Sequence, residues 1–194
     1  MWVKICGLTT QDAVDAAVAA GADAIGFVFA PSVRRVSARQ AAEMTRHIGV
    51  SVTRVAVMLH PTQEELDTVV EVFAPDVLQT DAEDLRTLRI PASLTVLPVL
   101  RNGAALPQAL PDRLLFEGAV SGTGELADWT AAAAIARRTQ VILAGGLHAQ
   151  NVAAGIRQVS PYGVDVSSGV ESAPGRKDPE RIREFIRIVR GAEG

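Results

Sequence analysis

The hydrophobic positions of this chain form short β-branched runs, each followed by a longer segment rich in alanine and leucine. This alternation predicts a repeated strand–helix unit, and such repeats build a parallel sheet. The eight predicted strands cover residues 3–6, 24–29, 53–59, 77–78, 95–99, 114–116, 141–143 and 163–166. The eight predicted helices cover residues 10–20, 38–47, 63–73, 82–88, 104–110, 129–138, 149–159 and 179–190.

The number of strand–helix units indicates whether the sheet is open or closes into a barrel. The 194 residues give each of eight units about 24 residues, enough for a strand of ~5, a helix of ~11 and two loops of ~4. Capping-box sequences at Ser37–Gln40 and Thr62–Glu65 fix two of the helix starts. We predict an α/β fold: a single-domain (β/α)8 TIM barrel over residues 1–194, near minimal length. The alternative is an open doubly wound sheet, which usually has fewer strands.

Composition and charge narrow the function classes. With 19 basic and 22 acidic residues the net charge is −3, so no basic surface for nucleic acid or an anionic membrane is predicted. No apolar run approaches the ~20 residues of a spanning helix, and no signal-peptide run follows Met1. One cysteine cannot form an internal disulfide. We expect a cytoplasmic enzyme, monomeric by default, with a homodimer left open.

Catalytic residues of a barrel lie at the C-terminal ends of the strands. In the first predicted strand the period of two turns Val3 and Ile5 toward the helices, and Lys4 and Cys6 into the barrel. An ammonium near Cys6 would favour its thiolate and make it a candidate base. The alternative is that Cys6 is a small buried apolar residue.

Two glycine-containing loops follow the last two predicted strands. Gly145 and Gly146 come after the seventh strand, and Ser167, Ser168 and Gly169 come after the eighth. In this fold these two loops frequently bind phosphate, helped by the start of the next helix. Taken alone, a glycine pair is as well explained by a tight turn with positive φ.

Other polar residues near strand ends have two interpretations each. Arg34 and Arg35 follow the second strand. At this place one guanidinium would pair with a substrate carboxylate while the other faces solvent. The alternative is that both side chains are solvated. Asp128 precedes a helix and is a candidate N-cap as well as a rim carboxylate. The three histidines lack metal-ligand spacing, so no metal site is predicted.

Several motifs in chain order resemble the N-(5'-phosphoribosyl)anthranilate isomerase family of tryptophan biosynthesis. They are KICGLT at 4–9, GFVF at 26–29, the arginine pair at 34–35, GTG at 122–124 with DW at 128–129, AGGL at 144–147 and VDVSSGVE at 164–171. The matches run over nearly the whole chain. Two departures are LQTD at 78–81, where the family commonly has QLHG, and Glu117 in place of an aspartate.

The resemblance implies an aldose–ketose isomerase that carries out an Amadori rearrangement on a (β/α)8 barrel, on a small phosphorylated substrate, without metal or organic cofactor. Carried over by motif, Cys6 is the general base and Asp128 the general acid. Arg35 contacts the anthranilate group and Asp165 lies near the ribose or amine. The phosphate-binding residues are Gly145, Gly146, Ser168 and Gly169.

Two other functions stay open at this point. Another phosphate-binding barrel enzyme, such as indole-glycerol-phosphate synthase, shares the fold but relies on several catalytic lysines and a glutamate, of which this chain offers only Lys4. A non-catalytic binding module would keep the phosphate loops and lose the acid or the base, whereas this chain has both Cys6 and Asp128.

Overall fold

The computed structural model describes residues 1–104, 109–119 and 126–192. Eight parallel strands form a closed barrel in sequence order, and the first strand pairs with both the second and the eighth. The predicted (β/α)8 barrel is therefore confirmed. The barrel strands are β1 (Trp2–Cys6), β2 (Ala24–Val28), β3 (Thr53–Val57), β4 (Val77–Asp81), β5 (Thr95–Arg101), β6 (Arg113–Glu117), β7 (Gln140–Leu143) and β8 (Gly163–Val166).

Six α-helices cover the outside of the barrel in the described residues. They are α1 (Gln11–Ala19), α2 (Ala38–Thr45), α3 (Gln63–Phe73), α4 (Trp129–Ala136), α5 (Val152–Val159) and α6 (Pro179–Gly191). Both predicted capping boxes form, at the starts of α2 and α3. None of the helices described is long and apolar enough to cross a membrane.

The helix predicted at 82–88 is wrong, because only a 3₁₀ turn, Asp84–Arg86, follows β4. The buried Asp84 carboxylate accepts hydrogen bonds from Thr80 Oγ1 at 2.6 Å and from the His60 amide at 3.1 Å. Aspartate is a weak helix former, and these tertiary bonds position this one in a turn. The helix predicted at 104–110 falls largely on residues 105–108, outside the described residues.

An antiparallel hairpin that the sequence pattern did not predict follows β8. It consists of β9 (Glu171–Ala173) and β10 (Arg176–Lys177). Gly175 between the two strands has a φ of 78°, a conformation that glycine adopts without steric cost. The hairpin lies in the connection between β8 and α6, on the side of the barrel where the strands end.

The strands bury two different faces. Val3 and Ile5 pack in the large cluster formed with the helices, as the period of two predicts. A smaller cluster fills the inside of the barrel with Leu97, Val99, Leu115, Ile142 and Ala144. This inner cluster comes from β5, β6 and the end of β7, whereas Lys4, Gln79 and Asp165 place polar side chains inside the barrel from β1, β4 and β8.

Candidate active site

A cavity of about 170 Å³ opens at the C-terminal ends of the strands. The loops after β2, β3, β7 and β8 complete its wall. Side chains from every barrel strand converge on this space, which is the geometry that barrel enzymes use for catalysis. The contributing residues at or next to the strands are Cys6, Val28, Val57, Gln79, Asp81, Val99, Arg101, Glu117, Ala144 and Asp165.

Cys6 lies in the cavity wall above the buried side chain of Lys4. Lys4 Nζ is 2.7 Å from Gln79 Oε1 and 3.0 Å from Asp165 Oδ1, and Lys4 is fully buried. Burial alone would lower the pKa of Lys4, but the negative charges of Asp165 and Cys6 raise it above its usual value. Lys4 is therefore a fixed ammonium ion inside the barrel.

Lys4 lowers the pKa of Cys6, as predicted, but not enough to make the thiolate the resting form. Burial raises the pKa of Cys6, and Asp165 adds to that effect, while Lys4 and Lys177 only partly offset it. Lys4 is the strongest of the groups that favour the thiolate, but burial outweighs it, and Asp165, which pairs with Lys4 at 3.0 Å, acts against it. In the resting site, Cys6 is a neutral thiol at neutral pH.

Gly26 explains how Lys4 and Cys6 fit side by side. A Cβ atom at this position of β2 would lie 2.8 Å from Lys4 Cε and 3.1 Å from Cys6 Sγ. Gly26 is paired with Cys6 in the parallel ladder, so it faces the same interior space. The absent side chain makes room for the two functional groups of β1.

The structure places Arg34, and not Arg35, in the cavity wall. Arg34 is 8% exposed, and its Nε and Nη2 bond Glu171 Oε1 and Oε2 at 2.7 and 2.8 Å. Arg35 is exposed and lines a neighbouring cavity beside α3. The choice of the second arginine is thus corrected: the backbone pairing of Arg35 with Val28 turns its side chain away while Arg34 points inward.

Glu171 is a permanently ionised partner for Arg34. Burial alone would raise its pKa, but hydrogen bonds from Arg34 and Lys177 outweigh burial and lower the pKa to about 2. The Arg34–Glu171 pair joins the loop after β2 to the hairpin after β8. Sequence reasoning missed this contact because 137 positions separate the two residues.

The two loops predicted to bind phosphate lie side by side. Gly145 and Gly146 have φ values of 82° and 62°, and both line the cavity together with Ser168. Gly169 pairs with His148 in an isolated bridge, and a Cβ there would lie 2.9 Å from the Leu147 carbonyl carbon. Gly169 thus brings the two loops together, while the other three residues face the cavity.

Asp128 forms the N-cap of α4. Its Oδ1 accepts hydrogen bonds from the amides of Thr130 at 2.8 Å and Ala131 at 3.1 Å, and Asn102 Oδ1 accepts from the Asp128 amide at 3.1 Å. Asp128 is exposed and is not among the residues that line the cavity. Its Oδ2 has no hydrogen bond to any residue of the described ranges. The glycine-containing loop at 121–124 lies outside the described residues.

Three charged residues that were not predicted as site residues line the opposite wall. Arg101 Nη2 is 2.6 Å from Asp81 Oδ1, and Arg101 Nη1 is 2.5 Å from Glu117 Oε1. They occupy the last positions of β4, β5 and β6. The period of two would have placed them inside, because each lies two residues beyond an inward position: Gln79, Val99 and Leu115.

Comparisons with known proteins identify the family of this chain. The family model of N-(5'-phosphoribosyl)anthranilate isomerase matches residues 3–188. The enzyme of that name from Streptococcus pneumoniae strain JJA is 42% identical, over 99% of this chain and 98% of its own. The crystal structure of the Thermus thermophilus enzyme is 30% identical with a TM-score of 0.85, covering 98% of this chain and 99% of that one.

A further solved isomerase is in complex with reduced 1-(o-carboxyphenylamino)-1-deoxyribulose 5-phosphate; it is 28% identical with a TM-score of 0.82, covering 98% of this chain and 99% of that one. The family match and the curated relative both span almost the full chain, and the structural likeness covers the same residues. This chain belongs to the N-(5'-phosphoribosyl)anthranilate isomerase family.

Proposed function

We propose that the cavity isomerises N-(5'-phosphoribosyl)anthranilate to 1-(2-carboxyphenylamino)-1-deoxyribulose 5-phosphate in tryptophan biosynthesis, by general acid–base catalysis. The observation that carries the proposal is the position of Cys6, in one cavity with Arg34 and with Gly145, Gly146 and Ser168. The sulfur of Cys6 therefore shares one cavity with two places suited to anions.

The substrate has two anionic ends, and the cavity has a matching group for each. The phosphate fits the loops after β7 and β8, where Gly145 and Gly146 let an anion approach the backbone without side-chain obstruction. The anthranilate carboxylate fits Arg34, whose planar guanidinium forms paired hydrogen bonds with carboxylates. These two contacts place the ribose between them, near Cys6 and Asp165.

Asp128 is the proposed general acid. Opening the furanose ring requires a proton on the ring oxygen as the C1'–oxygen bond breaks, and this leaves an iminium ion between C1' and the nitrogen. Oδ1 of Asp128 is used by the cap, whereas Oδ2 is available to carry that proton. The position of Asp128 at the start of α4, at the same end of the barrel as the cavity, supports this role.

Cys6 is the proposed general base. It removes the hydrogen from C2', and the electron pair of that bond neutralises the iminium to give an enolamine. C1' then gains a proton while the 2'-hydroxyl loses one, so the hydrogen count is unchanged and C2' becomes the ketone. The resting thiol first releases its own proton to solvent water, and the positive charge of the iminium favours that release only after the ring has opened.

The proposed active unit is a monomer in the cytoplasm. All the proposed binding and catalytic groups come from one chain, so the cavity needs no partner to be complete. The base is a free, unpaired cysteine, and reducing conditions keep such thiols intact.

The proposal is tested with freshly generated phosphoribosylanthranilate, whose disappearance is followed by the loss of anthranilate-type fluorescence. The wild-type chain is expected to accelerate the loss, and Cys6→Ser to slow it by about 10² to 10⁴-fold, because a hydroxyl does not ionise near neutral pH. A folded wild-type chain that binds product analogue without accelerating the loss would favour the binding module instead.

A further inference from the structure

The hairpin β9–β10 carries two buried charges close to the cavity. Glu171 is 6% exposed and Lys177 is 7% exposed, and Lys177 Nζ lies 2.7 Å from Glu171 Oε1. Lys177 also donates to Ser167, to the carbonyl oxygen at 2.9 Å and to Oγ at 3.2 Å. The ammonium therefore joins the hairpin to the loop after β8 that contains Ser168.

Glu171 extends this network to the loop after β2. It accepts both hydrogen bonds from Arg34 described above, and its Oε2 also accepts one from the Gly175 amide at 3.2 Å. The space around Arg34 is tight: a Cβ on Gly7 would lie 2.7 Å from Arg34 Cδ and 3.1 Å from Ser167 Oγ. The Arg34 side chain is therefore confined by its surroundings, and its two hydrogen bonds to Glu171 fix its position.

The hydrogen bonds of Arg34 leave room for a second carboxylate. A guanidinium has five N–H groups, and Glu171 uses one on Nε and one on Nη2. Nη1 makes no hydrogen bond within the described part of the chain. The outer edge, formed by Nη1 and the second hydrogen of Nη2, can thus pair with a ligand while Glu171 keeps the inner edge.

The net charge of the three residues shows what Lys177 contributes to the binding of an anion. Arg34, Glu171 and Lys177 together carry a net charge of +1, and without Lys177 the net charge would be zero. An anionic ligand would then approach a neutral Arg34–Glu171 pair and be attracted less strongly. The negative charge of Glu171, no longer offset by Lys177, would also repel the ligand more. Lys177 does not line the cavity, so it affects a ligand through its charge and through the positions of these neighbours, without touching the ligand.

We infer that Glu171 and Lys177 are positioning residues for substrate binding, with Glu171 fixing Arg34 for the carboxylate and Lys177 fixing the Ser167–Ser168 loop for the phosphate. The contact between the two residues couples the two anion sites. This inference rests on the proposed function. Neither residue reaches the reacting atoms, and Lys177 lowers the pKa of Cys6 less than Lys4 does. The rate of the chemical step is therefore expected to change much less than substrate binding.

The test uses Lys177→Met in the full chain, with steady-state kinetics and inhibition by inorganic phosphate as the measurements. Charged hydrogen bonds of this kind change binding by about 10 to 100-fold. KM and the phosphate inhibition constant are expected to rise by about that factor, while kcat stays within about threefold. Lys177→Arg keeps the charge and is expected to recover part of the loss. Arg176→Met, which removes an exposed charge from the same hairpin, is expected to leave all three constants unchanged.

Lys177→Met leaves Glu171 with one charged partner fewer, and this could prevent folding. The double variant Glu171→Gln, Lys177→Met removes both charges of the pair and leaves Arg34 an amide oxygen in place of the carboxylate; it is expected to fold and, because the charged bonds to Arg34 and Ser167 are gone, still to show the raised KM. A folded Lys177→Met or double variant with wild-type KM and phosphate inhibition would overturn the inference. So would an equal rise in Arg176→Met.

Failure of the proposed function gives a different result. A wild-type chain without isomerase activity would reject the function, and the positioning role would then be judged by the rise in melting temperature that inorganic phosphate produces. A smaller rise in Lys177→Met than in wild type would support the role of Lys177, and equal rises would refute it.

Discussion

Asp128 is the N-cap of α4 and the proposed general acid, and Asp128→Asn distinguishes the two roles. As an N-cap, Asp128 supplies one oxygen that accepts from the amides of Thr130 and Ala131. Asparagine keeps that oxygen and ranks with aspartate as a cap, so the remaining loss is the attraction between the carboxylate and the helix start, about 0.3 to 1 kcal/mol. For a chain of this size that corresponds to a melting temperature lower by at most about 4 °C.

The catalytic role of Asp128 predicts a much larger change in rate. An amide has no transferable acidic proton, and general acid catalysis usually contributes about 10² to 10⁴-fold. We expect kcat for Asp128→Asn to fall by that factor, measured by the fluorescence assay on protein whose folding is checked by thermal denaturation. Asp128→Ala, which loses the cap as well, is expected to be about 1 kcal/mol less stable than wild type and no more active than Asp128→Asn.

Asp178 offers a matched control on the same chain. It caps α6 with the same geometry, its Oδ1 accepting from the amides of Glu180 at 2.9 Å and Arg181 at 3.4 Å. Asp178→Asn is expected to lose a similar amount of stability and to keep its wild-type rate. The general-acid role is refuted if Asp128→Asn retains near-wild-type kcat, or if Asp178→Asn loses activity to the same extent.

Three further perturbations follow from the site. Arg34→Met is expected to cost about 1.5 to 3 kcal/mol of ligand binding, measured by calorimetric titration with a product analogue, and Arg35→Met to cost little; equal losses would contradict the assignment of Arg34. Gly146→Asp is expected to abolish binding of that analogue, since its carboxylate repels the phosphate; unchanged affinity in a folded variant would reject the phosphate site. Glu171 ionises with a pKa of about 2 in the fold against 4.5 ordinarily, so its contribution of a few kcal/mol is present above pH 4.5 and lost as pH falls toward 2. Melting curves of wild type and Glu171→Gln are expected to converge over that interval; a constant difference would contradict it.

The strand pattern predicted the barrel because each strand has one face against the helices and one inside. That period of two placed Lys4 and Cys6 correctly on the inner face of β1. The position of the loops after β7 and β8 likewise follows from the order of the strands in a closed barrel, so Gly145, Gly146 and Ser168 were placed by topology.

The hydrophobic pattern does not predict the conformation of irregular segments or the contacts between charges that are far apart in the sequence. No periodicity operates in the loop after β2, so nothing in the sequence showed that Arg34 faces inward and Arg35 outward. The ionisation of Cys6 depends first on its burial, and then on the opposing charges of Lys4 and of Asp165, which lies 159 residues further along the chain. Secondary-structure propensity also failed at Asp84, where a buried carboxylate bonds Thr80 and His60 in place of a helix.

The buried ammonium of Lys4 constrains the order in which the barrel folds. Its two partners are Gln79 on β4 and Asp165 on β8, in the middle and near the end of the chain. Until β8 is in place, a chain that buries β1 would enclose a cation without its carboxylate, at a cost of several kcal/mol. We therefore expect partly folded chains to keep β1 in contact with water and the seam between β1 and β8 to close late. The residue at the floor of the active site thereby makes barrel closure cooperative, and half-barrels are penalised as folding intermediates.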